Sequence, residues 1–183
     1  MLSMTGALVY LLLLVNLVAG PMAAQEVEVI VDRQYAQVVG EAFASARSSI
    51  RVMMFEAHYY EKHRNSPTNL LIRELIAAEQ RGVDVKVILE RREKADRVNV
   101  NNETTARMLS RGGVEVAYDS PATTTHTKLL IIDGALSVVG STNWTYSAME
   151  KNHEVSVLIR SAEVARTLQD YFQDVWKSCT LFR

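Results

Sequence analysis

The sequence has few of the residues that build specialised folds. Its 183 residues include one cysteine, three prolines and eight glycines, and its net charge is −1. The single cysteine, Cys179, excludes an internal disulfide framework and a cysteine-based zinc site. Ordinary apolar and aromatic contents exclude a collagen, a coiled coil and a disordered chain. Near-neutral charge excludes a histone-like polycation, although a local basic groove remains compatible with it.

Charged residues are also missing between Met1 and Ala24. Within this stretch, residues 7–19 form an apolar run that only Asn16 interrupts. Such a run is typical of a signal-peptide core, whereas the whole uncharged stretch is long enough to cross a bilayer as an anchor. We therefore expect residues 1–25 to be a signal peptide or membrane anchor, which would place the protein in the periplasm, outside the cell or at a membrane. Residues 26–183 would form one folded domain.

The rest of the chain alternates predicted strands and helices. Predicted strands cover residues 26–31, 50–57, 83–89, 114–118, 128–132, 136–139 and 154–159. Predicted helices cover residues 35–47 with Asp32 as cap, Ser66 to Gly82, Asn101 or Asn102 to Arg111, and the segment after Ser161. The early alternation predicts parallel strands, and a hairpin around Asp133 and Gly134 adds antiparallel ones. We therefore predict an α/β fold, with a mixed sheet flanked by helices on both faces.

Residues with catalytic potential are concentrated between positions 126 and 143. His126 and Lys128 are two positions apart near a predicted strand, so their side chains project together. The predicted hairpin returns Gly140, Ser141 and Asn143 to the same end. This set suits a phosphoryl group, because the lysine neutralises charge and the hydroxyl and amide donate to phosphate oxygens. A histidine that is largely neutral at pH 7 can attack phosphorus.

The same stretch carries a resemblance to a known family. Six residues match the HKD signature of the phospholipase D superfamily at its fixed spacing: His126, Lys128, Asp133, Gly140, Ser141 and Asn143. Residues 81–86 and 152–157 also look like the small single-motif bacterial endonucleases of that superfamily, so the resemblance covers about residues 26–177. It implies the phospholipase D fold and a phosphodiesterase that needs neither a metal nor another cofactor.

The resemblance also implies a role for each matched residue. The family's motif histidine forms a phosphohistidine intermediate, and this role falls to His126. Glu154 matches the downstream glutamate that orients the histidine, as the carboxylate of a catalytic triad does. The remaining implied roles are phosphate binding by Lys128, Ser141 and Asn143 and a structural role for Asp133 and Gly140.

The chain contains one motif, whereas the family's reaction uses two motif histidines. His58, His63 and His153 each lack a lysine two positions later, so none resembles the second histidine. Short members of the family solve this by forming homodimers. The resemblance therefore predicts a homodimer in which His126 of the partner subunit is the general acid and base.

Several further residues are candidates for substrate contacts. Four basic residues follow the predicted 83–89 strand, at a position where α/β sheets gather ligands: Arg91, Arg92, Lys94 and Arg97. They could bind a polyanion backbone, although interleaved acidic residues make a solvated loop an equal alternative. Trp144 directly follows Asn143 and could stack on a base. Tyr59 and Tyr60 could stack on bases or pack in the core.

A cluster of histidines and glutamates over residues 56–63 has the composition of a metal site. Glu56, His58, Glu61 and His63 are its members. Residues at these spacings are more typical of a polar loop than of a metal site, so we expect no metal.

Three functions are compatible with these residues. We expect a metal-independent nuclease that acts on DNA or RNA. A phospholipase is the second possibility, and a retained anchor at residues 1–25 would keep its site near the membrane. The third is a non-enzymatic module that binds polyanions, and the intact motif argues against it. A basic groove beside His126 would favour the nuclease, and an apolar groove would favour the phospholipase.

Overall fold

A computed structural model of the protein describes residues 26–94 and 96–183. The predicted signal peptide or anchor lies outside these residues. Among the described residues, no helix has the length and apolar character that crossing a membrane requires.

The described chain forms one eight-stranded sheet with five helices. The strands are β1 (Glu26–Val31), β2 (Ser49–Met54), β3 (Asp84–Leu89), β4 (Glu115–Tyr118), β5 (Lys128–Ile132), β6 (Leu136–Gly140), β7 (Val155–Arg160) and β8 (Thr180–Leu181). The helices are α1 (Gln34–Ser45), α2 (Pro67–Gln80), α3 (Arg97–Arg111), α4 (Tyr146–Glu150) and α5 (Ala162–Trp176). The strand order is β1-β7-β6-β5-β2-β3-β4-β8.

The mixed sheet that the sequence predicts is confirmed. Strands β2, β3 and β4 are parallel, and each other pair of neighbours is antiparallel. Strand β1 lies apart from β2, because it pairs with β7 at the edge of the sheet. The first strand, helix and second strand therefore do not form an adjacent parallel pair.

Helices cover both faces of the sheet, also as predicted. Helices α1, α2 and α3 bury one face, with Val39, Phe43 and Leu71 among the fully buried side chains. Helix α5 packs on the other face, where Ala165 and Phe172 join four residues of the central strands: Met53, Ile88, Leu129 and Ile131.

Part of the second face is exposed and apolar. Strand β1 alternates between the buried Ile30 and outward valines, and β6 and β7 present valines on the same side. Their exposed fractions run from 38% to 60%. We call these residues the valine face: Val27, Val29, Val31, Val139 and Val155.

Two of the predicted helix starts are wrong. Asp32 does not cap α1, because it adopts a positive φ of 48° and its carboxylate accepts from the main-chain N–H of Glu154 at 2.8 Å. Helix α3 begins at Arg97 rather than at Asn101 or Asn102, because the carboxylate of Asp96 caps it.

Asn102 is buried inside α3 and joins two strand ends. Its Nδ2 donates to the carbonyls of Phe55 and Glu90, both at 2.9 Å, and its Oδ1 accepts from the Ala57 N–H at 2.8 Å. An asparagine can satisfy three main-chain groups in this way because its amide both donates and accepts. The side chain therefore fixes the loops that follow β2 and β3.

Candidate active site

The hairpin of β5 and β6 brings the two halves of the motif together. Its turn carries Asp133 and Gly134 at φ values of 53° and 61°. The Asp133 carboxylate accepts from the main-chain N–H groups of Arg47, Ser48 and Ser49 at 2.8 to 3.2 Å. These bonds lie at the opposite end of β5 from Lys128 and join the turn to the loop before β2. Asp133 therefore has a structural role here.

Three polar side chains contact the ring of Phe55 at the end of the hairpin where β5 begins. The His126 ring meets it edge-on, with the two centroids 4.6 Å apart. Lys128 Nζ lies 4.9 Å from the Phe55 centroid, and the guanidinium carbon of Arg92 lies 5.0 Å from it. Cations at this distance are attracted to the negative face of an aromatic ring. Phe55 therefore holds two cations close to an exposed imidazole.

Electrostatics favour the neutral form of His126. The charge of Lys128 is the main cause that lowers the pKa of His126, and burial and Arg92 add to it. Burial lowers the pKa of Lys128, whereas the Glu154 carboxylate opposes this shift. Lys128 Nζ donates to the carbonyl of His126 at 2.9 Å, and a carbonyl leaves the ammonium charge uncompensated. A neutral imidazole beside a cation is the state required of a nucleophile that attacks an anionic phosphodiester.

The residue before His126 is held by two buried carboxylates. Thr125 donates its N–H to Glu90 Oε2 at 2.6 Å and its hydroxyl to Asp119 Oδ2. Glu90 is 1% exposed and Asp119 is 5% exposed, and burial is the main cause that raises the pKa of Glu90. These two carboxylates fix the loop from which His126 projects.

Sequence reasoning missed these positioning residues, although a signal for them exists. Phe55, Glu90 and Asp119 each directly follow a parallel strand, namely β2, β3 and β4. The carboxyl ends of parallel strands are where α/β sheets place their sites. If this rule is applied to the first residue after each parallel strand, it identifies Phe55, Glu90 and Asp119.

Glu154 and Ser141 form a second polar group at the ends of β6 and β7. The Ser141 hydroxyl donates to Glu154 Oε2, and Asn152 Nδ2 donates to Glu154 Oε1 at 2.9 Å. Within the described residues, these bonds occupy the carboxylate and none joins it to the His126 of the same chain. The implied roles of Glu154 in orienting a histidine and of Ser141 in binding phosphate stay predictions.

Gly140 and Asn143 have different reasons to be in the motif. A Cβ on Gly140 would lie 2.5 Å from Ser156 Cα, so the close approach of β6 and β7 admits only glycine there. Asn143 Oδ1 is buried without a hydrogen-bond partner among the described residues. The implied role of Asn143 in binding phosphate stays a prediction, and it would fall to the amide Nδ2, because the oxygen can only accept.

The other basic residues of the 91–97 segment divide between exposed and paired positions. Arg97 forms an ion pair of 2.7 Å with the buried Glu56, although its own side chain is 74% exposed. The guanidinium carbon of Arg91 lies 4.9 Å from the Tyr118 ring centroid, and Lys94 is exposed. Arg92 lies on Phe55 and pairs with Asp96 at 2.5 Å, so among the described residues Arg91 and Lys94 are the basic residues of the segment without an ion pair.

Trp144 does not have the predicted role. It is 1% exposed, and its Nε1 donates to the Tyr35 hydroxyl at 3.3 Å. Its ring packs edge-on against Phe43, with centroids 6.0 Å apart. The prediction that Trp144 stacks on a base is therefore wrong, because its side chain is buried in the core.

The histidines and glutamates of residues 56–63 are dispersed. The Glu56 carboxylate accepts from Asn101 Nδ2 and pairs with Arg97, both at 2.7 Å. His58 stacks on Tyr60 with ring centroids 3.9 Å apart. In the described part of the chain, no three histidine, cysteine or acidic side chains are grouped in a way that could hold a metal ion.

Comparisons with known proteins confirm the family resemblance. The family model described as "Cardiolipin synthase, PLD-like domain" matches residues 39–176. The mouse mitochondrial cardiolipin hydrolase is 29% identical over 136 residues, which cover 74% of this chain and 55% of the mouse protein. The chain therefore spans about half the length of the curated relatives it matches.

Two solved structures share the fold. The phospholipase D family member Nuc from Salmonella typhimurium superposes with a TM-score of 0.74 at 26% identity, covering 87% of this chain and 99% of Nuc. NucT from Helicobacter pylori has a TM-score of 0.68 at 19% identity, covering 87% of this chain and all of NucT. Because NucT is only 19% identical to this chain, its similarity shows a shared fold alone.

The electrostatics of His126 can be measured directly. In an NMR titration, we expect its pKa to lie below the ordinary value of about 6.5, because Lys128 and Arg92 disfavour the imidazolium. The variant Lys128→Met should raise this pKa, since it removes the main cause of the shift. The exposed Lys177 is a matched control, and Lys177→Met should leave the His126 titration unchanged. A pKa at or above the ordinary value, or one that ignores Lys128→Met, contradicts the assignment.

Proposed function

Because the chain belongs to the phospholipase D-like domain family, we propose that it is a phosphodiesterase that hydrolyses nucleic acid through His126. The observation that carries this proposal is the exposed His126, whose pKa is lowered by Lys128, at the carboxyl ends of the parallel strands. The neutral imidazole would be available as a nucleophile at physiological pH. Lys128 and Asn143 would bind the non-bridging oxygens of the phosphate.

The proposed reaction has two steps. First, an imidazole nitrogen of His126 attacks phosphorus, and the bond from phosphorus to the leaving oxygen breaks as the N–P bond forms. The leaving oxygen takes a proton from a general acid. Water then attacks the phosphohistidine and gives its proton to the same group, now a base. The N–P bond breaks, and His126 is restored as a neutral imidazole.

The general acid would be His126 of the partner subunit. The negative charge of a bound phosphodiester would offset Lys128 and favour protonation of one of the two imidazoles, and that imidazolium would oppose protonation of the second. One imidazole would then be the nucleophile and the other the acid. No metal or further cofactor enters either step.

The valine face supports a homodimer. Its five valines form a continuous exposed surface on β1, β6 and β7, and such surfaces in folded proteins are typical of interaction sites. Val155 directly follows Glu154, and Val139 directly precedes Gly140. Burial of this face against a second copy would therefore bring the copy close to the motif of the first chain.

Positive charge beside His126 favours nucleic acid as the substrate. Lys128 and Arg92 lie on the Phe55 ring, and Arg91 and Lys94 extend the basic segment. The resemblance of residues 81–86 and 152–157 to the small single-motif bacterial endonucleases supports the same assignment. A phospholipase is the second candidate, favoured by the likeness to the mitochondrial cardiolipin hydrolases.

The proposed chemistry predicts activity that resists chelation. The full-length chain, incubated with EDTA, should cleave plasmid DNA or single-stranded RNA, because His126 and not a metal-bound water is the nucleophile. The variant His126→Ala should reduce the rate by at least about 10³-fold, since no other group can form the covalent intermediate. Circular dichroism should show an unchanged fold, because His126 is exposed.

Phosphatidyl substrates tested in parallel separate the two candidates. Cleavage of lipid alone contradicts the nuclease proposal, and loss of all cleavage in EDTA contradicts the phosphohistidine mechanism. His153→Ala is the matched control, because His153 is also an exposed histidine but lies outside the motif. It should retain activity.

The dimer proposal predicts that a charge on the valine face separates the subunits. Val29→Lys should weaken self-association by at least about 100-fold in sedimentation, because a buried unpaired ammonium in an apolar interface is costly. Activity at low protein concentration should fall with the dimer fraction. Val29 is 60% exposed in the single chain, so the fold itself should tolerate the change.

Leu181→Lys provides the control, since Leu181 is 47% exposed and lies on β8, at the opposite edge of the sheet. It should leave association unchanged. A fully active monomer, or equal behaviour of the two variants, contradicts the proposed interface.

A further inference from the structure

A second basic cavity lies away from His126, between the loop after β2 and helices α2 and α3. Its volume is about 460 Å³. None of the motif residues lines it. Its lining residues are Tyr59, Glu61, Arg64, Arg73, Thr104, Arg107, Met108 and Arg111. We call it the arginine pocket.

The charges of the arginine pocket are poorly balanced. Its four arginines come from three different elements, and Glu61 is the acidic residue in its lining. Arg107 pairs with Glu103 at 2.8 Å. Among the described residues, Arg64, Arg73 and Arg111 take part in no ion pair. Convergent guanidinium groups without carboxylate partners repel one another, so this arrangement favours the binding of an anion.

The pocket is held in shape by hydrogen bonds rather than by ion pairs. Arg73 Nη1 donates to the carbonyl of Arg64 at 2.5 Å, which joins α2 to the loop that precedes it. The Tyr59 N–H donates to Thr105 Oγ1 at 2.9 Å, which holds the tyrosine against α3. The carbonyl bond leaves the charge of Arg73 intact. Both Arg64 and Arg111 remain exposed.

Helix α3 connects this pocket with the active-site end of the sheet. Its first residue, Arg97, pairs with Glu56, which directly follows Phe55. Thr104, Arg107 and Arg111 follow at positions close to the same helical stripe as Arg97. With a rise of 1.5 Å per residue, the stripe from Arg97 to Arg111 is about 21 Å long. That length corresponds to roughly six nucleotide steps of a duplex strand.

We propose that the arginine pocket binds the phosphodiester backbone of a nucleic-acid substrate several nucleotides away from the phosphate at His126. The inference rests on the proposed function, because it extends the substrate path from that site. Arginine suits this role because its planar guanidinium donates two parallel hydrogen bonds to a phosphate. The half-buried Tyr59 ring in the pocket wall offers a surface on which a base can stack.

A nucleic acid fits these observations better than a lipid surface does. The arginines line a concave cavity and continue a line of basic residues along α3, which matches a polymer of regularly spaced phosphates. A membrane-binding surface combines basic residues with inserted apolar side chains. Met108 is the aliphatic residue in the lining, and it is half-buried.

The test compares binding of nucleic acid by two double variants. Both are made in full-length chain carrying His126→Ala, so that the probe stays intact. Arg64→Gln with Arg111→Gln removes two pocket charges, whereas Arg166→Gln with Arg183→Gln removes two exposed charges elsewhere. Fluorescence anisotropy with labelled single-stranded DNA and RNA of about 20 nucleotides gives the Kd at several salt concentrations.

We expect the pocket variant to bind at least about ten-fold more weakly, and the slope of log K against log salt to fall by about 1.4 in magnitude. The control variant should stay within about two-fold of its parent. Equal Kd values for the pocket variant and its parent overturn the proposal, as does a parent that binds neither probe.

The same proteins are mixed with phosphatidylcholine vesicles that contain cardiolipin. If the pocket variant loses vesicle binding and keeps its nucleic-acid affinity, the pocket is a membrane site and the proposal is overturned. Cleavage assays with intact His126 separate the two hypotheses. Loss of affinity in the pocket variant without any nuclease activity upholds the pocket and overturns the proposed function. If the protein with intact His126 cleaves nucleic acid and the pocket variant binds as tightly as its parent, the proposed function is upheld and the pocket proposal is overturned.

Discussion

The position of His126 depends on the two buried carboxylates that hold Thr125. Glu90 and Asp119 follow β3 and β4, so the parallel part of the sheet fixes the loop that carries His126, the proposed nucleophile. Burial of a carboxylate is unfavourable unless hydrogen bonds satisfy it, and here the N–H and the hydroxyl of one threonine serve that purpose. Asn102 strengthens the same arrangement from α3, because it binds the carbonyls of Phe55 and Glu90. Residues at the ends of the parallel strands thus determine directly where His126 lies.

On this scaffold, a small group of charges sets the chemistry. Phe55 brings Lys128 and Arg92 close to His126, although Arg92 also pairs with the Asp96 carboxylate at 2.5 Å. These two charges lower the pKa of His126 and would also attract a phosphate. At the same end of the hairpin, Ser141 and Asn152 donate to the carboxylate of Glu154, which opposes the lowering of the Lys128 pKa. In the proposed mechanism, the single chain would supply the nucleophile and the binding site for the phosphate, and the general acid would come from the partner subunit.

Local patterns predicted most of the fold, and one motif predicted the site. The hairpin could be predicted because Asp133 and Gly134 carry their own conformational preference, and the helices because their apolar periodicity is local. Trp144 was misassigned because its proximity to Asn143 in sequence does not fix where its side chain lies, and its ring instead meets Phe43 and Tyr35 of α1. Asn102 and Asp32 were misassigned as caps because their partners lie on other elements. The apolar periodicity of a segment indicates which of its residues are buried. The side chains that a buried residue contacts depend on the order of the strands in the sheet.

The strand order also explains why the protein would work as a pair. Strand β1 lies at the edge beside β7, and this placement leaves the valine face open next to Glu154 and Gly140. In the proposed mechanism, that surface would bring the second histidine to the site. Catalysis would then depend on dimerisation, because the valine face would both join the subunits and bring their motifs together.

Mixed dimers test this central claim most directly. Wild-type and His126→Ala subunits are combined at constant total concentration and allowed to exchange, and the rate of phosphodiester cleavage is measured against the wild-type fraction. If each site needs His126 from both subunits, the rate follows the square of that fraction, so an equal mixture retains roughly one quarter of the full rate. If each chain is active alone, the equal mixture retains about one half, and a linear dependence of this kind would contradict the shared site.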